Sequence, residues 1–237
     1  MGQEFVCLRE YKDDILSILE LIETYNSGVL YKRGFHIEEQ IPKHKILFLD
    51  INPSCEDDAK ELEEPFYSIK ESDLLTGTSK EFFKKSIEIS LENSSGNSIE
   101  NNYAHHDVFF LREKNQNVIK KMLSSKNCKS FIEKALAFSE KIITEAEPLM
   151  IIASNAFVRD IFFNRQYKFL GFEPASKDNP ALWNENLGVD MVRIKDKLVP
   201  VLFTGMLGST GVIDNGSYFE LKWHVRHILR HLNEVNE

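Results

Sequence analysis

Four apolar runs in this chain each end on polar residues, and chemistry could sit at those ends. They are Asp50-Ile51-Asn52-Pro53-Ser54, Leu111-Arg112, Ser154-Asn155, and the stretch from Thr204 to Ser209. In an open α/β sheet, ligands bind beyond the carboxyl ends of the strands. A strand end is also polar simply because it meets water, so no single one of the four identifies a site. All four converging on one edge would be more suggestive.

Other residues carry weaker signals. His105-His106-Asp107 has the composition of a metal cluster, but neighbouring residues on a strand point to opposite faces, which favours a role in strand entry. Cys55 has no base near it in sequence and reads as a bystander. Cys7, Cys55 and Cys128 are odd in number and form no CxxC pair. That spacing argues against a disulfide framework and against a zinc site. Lys222, Arg226 and Arg230 recur at i, i+4 and i+8, and His224, His227 and His231 lie among them. Lys222, Arg226 and Arg230 would share one face of a C-terminal helix, either a basic face or an ordinary solvated one, with the histidines adding potential positive charge. The start of that helix near Ser217 is a ready anion site. Trp183 and Trp223 read as core or cover residues. The chain contains no Walker, GxGxxG or GxSxG motif, which disfavours the commonest nucleotide and hydrolase readings.

The elements that must position these residues alternate in type. Residues 11–26 place Ile15, Ile18, Leu19 and Ile22 on one helical face. Residues 45–51, 107–111, 149–153 and 198–204 are continuous apolar runs, the pattern of strands buried on both faces. Helices are expected from the Thr78–Glu81 capping box to about Leu91, over 128–147, from Ser154-Asn155 to about Phe163, and after the Ser217–Glu220 capping box. Residues 187–204 read as a hairpin turning at Lys195-Asp196-Lys197. The acidic stretch 56–64 reads as a solvated loop or short exposed helix. Alternation of this kind implies a three-layer α/β/α domain around a mainly parallel four-stranded sheet. One domain spanning 1–237 is expected, with 1–44 as a helical extension packed on it.

Composition bounds the rest. A chain of 237 residues with 42% hydrophobic and 28% charged residues can bury one core without staples. Charge appears too early for a signal peptide, and no apolar run is long enough to span a bilayer. The reducing cytoplasm is the expected compartment, with no membrane partner. A net charge of −8 speaks against nucleic-acid binding by bulk charge, though not against a local basic face.

Asn52-Pro53-Ser54 after a buried strand resembles the first motif of the uracil-DNA glycosylase-like superfamily. It is most similar to the Gly-x-Asn-Pro-Gly/Ser form of the mismatch-specific uracil/thymine branch. Pro65-Phe66-Tyr67, the Phe82-Phe83 helix, the unit from Pro148 to Ile161 and the Met206-Leu207-Gly208-Ser209 loop follow in the family's order, over roughly residues 40–230. The resemblance implies a monofunctional DNA N-glycosylase that flips a base from the stack and hydrolyses its glycosidic bond. It implies that Asn52 orients the attacking water and that Phe66 or Tyr67 stacks on the base. The amides of Ile51 and Phe66 would donate to a base carbonyl. Residues 206–210 would enter the duplex, with Met206 and Leu207 as apolar wedges. Ser54, Gly208, Ser209, Lys222 and Arg226 would contact DNA.

The chain departs from the family in several places. Asp50 stands where Gly is usual; it would help stabilise positive charge on the sugar or repel phosphate. Arg112 stands where an Asn often reads the base. The His of the most active branches and the cysteine quartet of others are absent. The partner expected is DNA carrying a damaged or mismatched base, with no cofactor and no metal, and the protein is expected to act as a monomer. The alternatives are a non-catalytic nucleic-acid or nucleotide-binding module on the same fold, or an unrelated small-molecule hydrolase.

Overall fold

The computed structural model describes residues 2–53, 66–69, 77–94, 98–99, 101–113, 115–173, 182–208 and 213–236. In chain order the strands are β1 (Phe5–Cys7), β2 (Phe35–Glu38), β3 (Gln40–Pro42), β4 (Ile46–Asp50), β5 (Phe66–Ile69), β6 (Ala104–Asp107), β7 (Met150–Ala153), β8 (Trp183–Asn184), β9 (Val189–Ile194) and β10 (Lys197–Phe203). The helices are α1 (Lys12–Leu19), α2 (Val29–Arg33), α3 (Gly77–Glu92), α4 (Gln116–Leu123), α5 (Lys129–Ala146), α6 (Ala156–Phe163) and α7 (Asn215–Asn236).

The central sheet has six strands in the order β6-β4-β7-β10-β9-β8. The first four are mutually parallel; β9 and β8 join antiparallel. The sheet therefore exceeds the four strands expected. The hairpin arm β9 pairs with β10 along its length, and Trp183–Asn184 pairs with β9 beyond it. The hairpin turns at Lys195, whose φ of 52° puts it in the left-handed region.

Each parallel strand is buried on both faces because alternate residues enter different clusters. Leu47, Leu49, Ile151, Ala153, Val199 and Val201 pack with residues of α1, α5 and α6. Ile46, Phe48, Met150, Ile152 and Leu202 pack with residues of α3 and α7. At about 25 cal/mol per Å² of apolar surface, such double-sided burial is the main driving force for the fold.

Residues 1–44 differ from a helical extension. They supply three short strands, with β1 pairing antiparallel to β3. Val6, Leu8, Ile15, Leu30, Phe35 and Ile41 belong to the same buried cluster as the sheet. The second parallel strand occupies Ala104–Asp107 and ends where the expected 107–111 run begins. The two histidines that hide it from a hydropathy reading are both buried.

Helix starts follow local capping. Asn155 Oδ1 accepts the Phe157 N–H at 2.8 Å, as its position before α6 predicts. For α7, Asp214 Oδ1 takes the Ser217 N–H at 3.0 Å, so the cap lies three residues before the expected one. An ionised carboxylate is the stronger acceptor at a helix N-terminus. Helix α3 starts at Gly77, one residue ahead of the Thr78–Glu81 motif.

Candidate active site at the sheet edge

Among the four parallel strands, β4 comes first in the chain yet lies inside the sheet, with β6 on one side and β7 on the other. The chain thus reverses direction across the sheet between β4 and β7, and that reversal opens a crevice beyond the strand ends. Asn52 follows β4 and Ser154-Asn155 follows β7. The backbones are laced together there: Val108 N–H donates to Asp50 O, Phe109 N–H to Ile51 O, Ser154 N–H to Leu49 O, and Thr204 N–H to Ala153 O. The four polar strand ends therefore meet on one edge.

Asn52 is held firmly on that edge. Its side-chain Nδ2 donates to Glu113 O at 2.6 Å, Pro53 O at 3.0 Å and Leu111 O at 3.2 Å. Its Oδ1 is buried and meets no donor among the described residues. The amide is thus orientated by its donor end, while its acceptor end has no described partner. The supporting loop is itself fixed: buried Glu113 accepts from Arg33 at 2.8 Å and from the Asn115 N–H at 2.8 Å.

Beside Asn52 lies a buried cluster around His105, joined by carboxylates from distant segments. His105 Nδ1 is 3.2 Å from Glu38 Oε1, and His105 Nε2 is 3.6 Å from Asp50 Oδ2. The imidazole is 6% exposed, and Phe83 and Tyr103 pack against it. Asp107 shares this face of the sheet, opposite Asp50 in the β4–β6 register. Burial alone would push His105 down, but the charge of Asp107 and contacts with Asp50 and Glu38 hold it well above the ordinary histidine range. Burial pushes Asp107 up to about 7, opposed by His105 and reinforced by Asp50 and Glu38. Burial also raises Glu38, partly offset by His105.

His106 faces the other way. Ser139 Oγ donates to Val108 O, so His106 Nε2–H must be the donor to Ser139 Oγ at 2.9 Å. Burial and the His105 charge push His106 down to about 3. The opposite-face expectation for this pair is met. A strand-entry role for His105 is not, because it bridges carboxylates from two other strands. The visible clue was the i, i+2 pair His105 and Asp107; Glu38 is 67 residues upstream of His105 and gave none. Among the described residues no group of side chains has the arrangement of a metal site.

The remaining expected site residues fall into distinct places. Phe66 and Tyr67 lie on β5, which pairs in parallel with β2, opposite Phe35 and His36. Because the Phe35–Leu111 bridge and the His36 N–H to Phe110 O bond join β2 to the 110–111 segment, β5 stands one strand away from the Asn52 clamp. Arg112 turns toward the α2–β2 connection, where Nη1 donates to Arg33 O at 3.3 Å. Ile51 is buried.

On the loop after β10, Leu207 is only 4% exposed and belongs to the core, so it is not placed as a wedge. Gly208 lies so close to Phe82 that an added Cβ would sit 2.7 Å from the ring, and this contact tucks the loop inward. Met206 is half-buried. Lys222 is also turned in: its ammonium meets Glu88 at 3.0 Å and Glu92 still more closely. Arg226 is exposed. Ser54, Ser209, Cys55 and the acidic stretch 56–64 lie outside the described residues.

The fold and edge site define a mixed α/β protein with a polar cluster at the switch point of its sheet. The chain matches no family model, no curated protein and no solved structure. No helix among the described residues is long and apolar enough to cross a membrane.

Proposed function

We propose that this protein is a DNA base-excision N-glycosylase of the uracil-DNA glycosylase-like kind, with a three-layer α/β/α arrangement, acting on uracil or a related damaged base. The observation that carries the reading is Asn52: an amide clamped by three carbonyl oxygens, whose own acceptor meets no donor among the described residues, at the switch point of the sheet. An acceptor fixed in this way can orient a water for attack on the anomeric carbon. Asp50, partly exposed and backed by His105, supplies negative charge where an oxocarbenium-like sugar would develop. The buried imidazole keeps Asp50 from facing Asp107 and Glu38 as an unbalanced like charge. Phe66 and Tyr67 would offer the stacking surface, and Met206 and Arg226 would contact the strand.

The test is base release from labelled oligonucleotides carrying uracil, G·U or G·T mismatches, hypoxanthine or xanthine, with alkali revealing abasic sites. Asn52→Ala should lower kcat by about a hundredfold or more with the fold retained. An unchanged rate would remove Asn52 from the mechanism, and no release from any substrate would remove the activity.

A second reading is a non-catalytic nucleic-acid-binding module on the same scaffold. It is favoured by the inward packing of Leu207 and the engagement of Arg112 with Arg33 O. It predicts binding without base release.

A further inference from the structure

Helix α7 packs on the sheet through Tyr218, Leu221, Val225 and Ile228, all buried. Its opposite face is unusual for a chain of net charge −8. Phe219 is 65% exposed and Trp223 64%, so Trp223 is not the core or cover residue its type predicts. Arg226, His227 and Arg230 are exposed on the same face. Positions 219, 223, 226, 227 and 230 follow helical spacing and form one stripe along about 16 Å of helix.

The side chains of the stripe are arranged together. The Trp223 and His227 rings are parallel within 3°, with centroids 5.3 Å apart. Trp223, Arg226, His227 and Arg230 line a shallow concavity. Arg226 Nε donates to Lys222 O at 3.3 Å, a bond in which its two outer guanidinium nitrogens take no part. Among the described residues neither Arg226 nor Arg230 has a carboxylate partner, whereas Lys222 on the inner face has two.

We infer that this face docks single-stranded nucleic acid. The outer face of the stacked, exposed Trp223 indole offers a surface on which a base can stack, and the two guanidinium groups, without a carboxylate partner among the described residues, match backbone phosphates. A duplex hides its base faces inside the stack and could use only the charges. An overall acidic chain needs such a local field to attract a polyanion. The inference shares a nucleic-acid partner with the proposed function but not its chemistry, and needs no damaged base.

Trp183 and Trp223 are the two tryptophans of the chain. In full-length Trp183→Phe protein, Trp223 is therefore the sole indole reporter. Titration with an undamaged oligothymidylate should quench its emission. Two phosphate contacts predict a slope of log K on log salt near −1.4, at about −0.7 per contact on single strands. Arg226→Ala/Arg230→Ala should abolish that slope. Trp223→Ala, followed by anisotropy of a labelled strand, should weaken binding roughly five- to hundredfold. All these positions are exposed, and thermal melts will report their folding.

The inference is overturned if emission and affinity ignore the oligonucleotide. It is equally overturned if phosphatidylserine vesicles alone quench Trp223, or if Trp223→Ala instead abolishes self-association in sedimentation. Asn52→Ala separates the two readings: it should end base release while leaving strand binding on α7 unchanged.

Discussion

His105 on β6 reaches Glu38 on β2 with one ring nitrogen and Asp50 on β4 with the other, at 3.2 and 3.6 Å. One imidazole thus ties the N-terminal strand β2 to the Asn52 edge of the sheet and balances carboxylates that could not otherwise sit together in low dielectric. Replacing it by Phe should destabilise the protein by about 3–5 kcal/mol near pH 8, since uncompensated buried charge is left behind. The loss should shrink near pH 5, where Glu38 and Asp107 can protonate. Urea denaturation at the two pH values measures this; an equal loss at both would show that the imidazole contributes packing alone.

Asp107 and His106 are adjacent but oppose each other in pH dependence. Asp107 titrates near 7 in the fold against 3.8 when free, so its contribution is present below about pH 4 and is lost as pH rises to about 7. His106 titrates near 3 against 6.5, so its contribution is present above about pH 6.5 and is lost as pH falls toward 3. Asp107→Asn should therefore gain stability relative to the natural chain as pH rises from about 4 to 7. His106→Gln should gain relative stability as pH falls from about 6.5. Denaturant midpoints across this range, compared variant by variant, give both signs.

Gly208 has no room for a side chain beside Phe82. Gly208→Ala should cost about 1–3 kcal/mol through overpacking. Adding Phe82→Leu should recover much of it, because the clash is with the ring. Thermal melts of the two single variants and the double variant form the cycle, and purely additive losses would contradict the contact.

Lys222→Met should lower stability by about 1–3 kcal/mol. Its ammonium is nearly buried, but Glu88 and Glu92 are 45% and 36% exposed and can rehydrate once it is gone. The salt dependence of nucleic-acid binding should stay as it is. A reduced slope would mean that the lysine contacts phosphate after all.

The sequence by itself determined the parallel character of the sheet and most of its helices. Runs such as Ile46–Asp50 and Met150–Ala153 are apolar on both faces, and only double-sided burial explains that. It also located Asn52 at a strand end, and Asn155 as a helix cap, because caps and strand exits depend on neighbours in the chain. Tertiary structure alone decided which groups meet. Strand β6 was misplaced because His105 and His106 look polar until their partners, Glu38, Asp50 and Ser139, arrive from distant segments. Leu207 and Lys222 looked available for DNA because side-chain type says nothing of the core or the carboxylates waiting for them. Trp223 was assigned inward on size, yet the inner face of α7 was already filled by Tyr218, Leu221, Val225 and Ile228. Periodicity brings Lys222 and Arg226 within one turn of each other; only packing turns the first inward to Glu88 and Glu92 and leaves the second exposed.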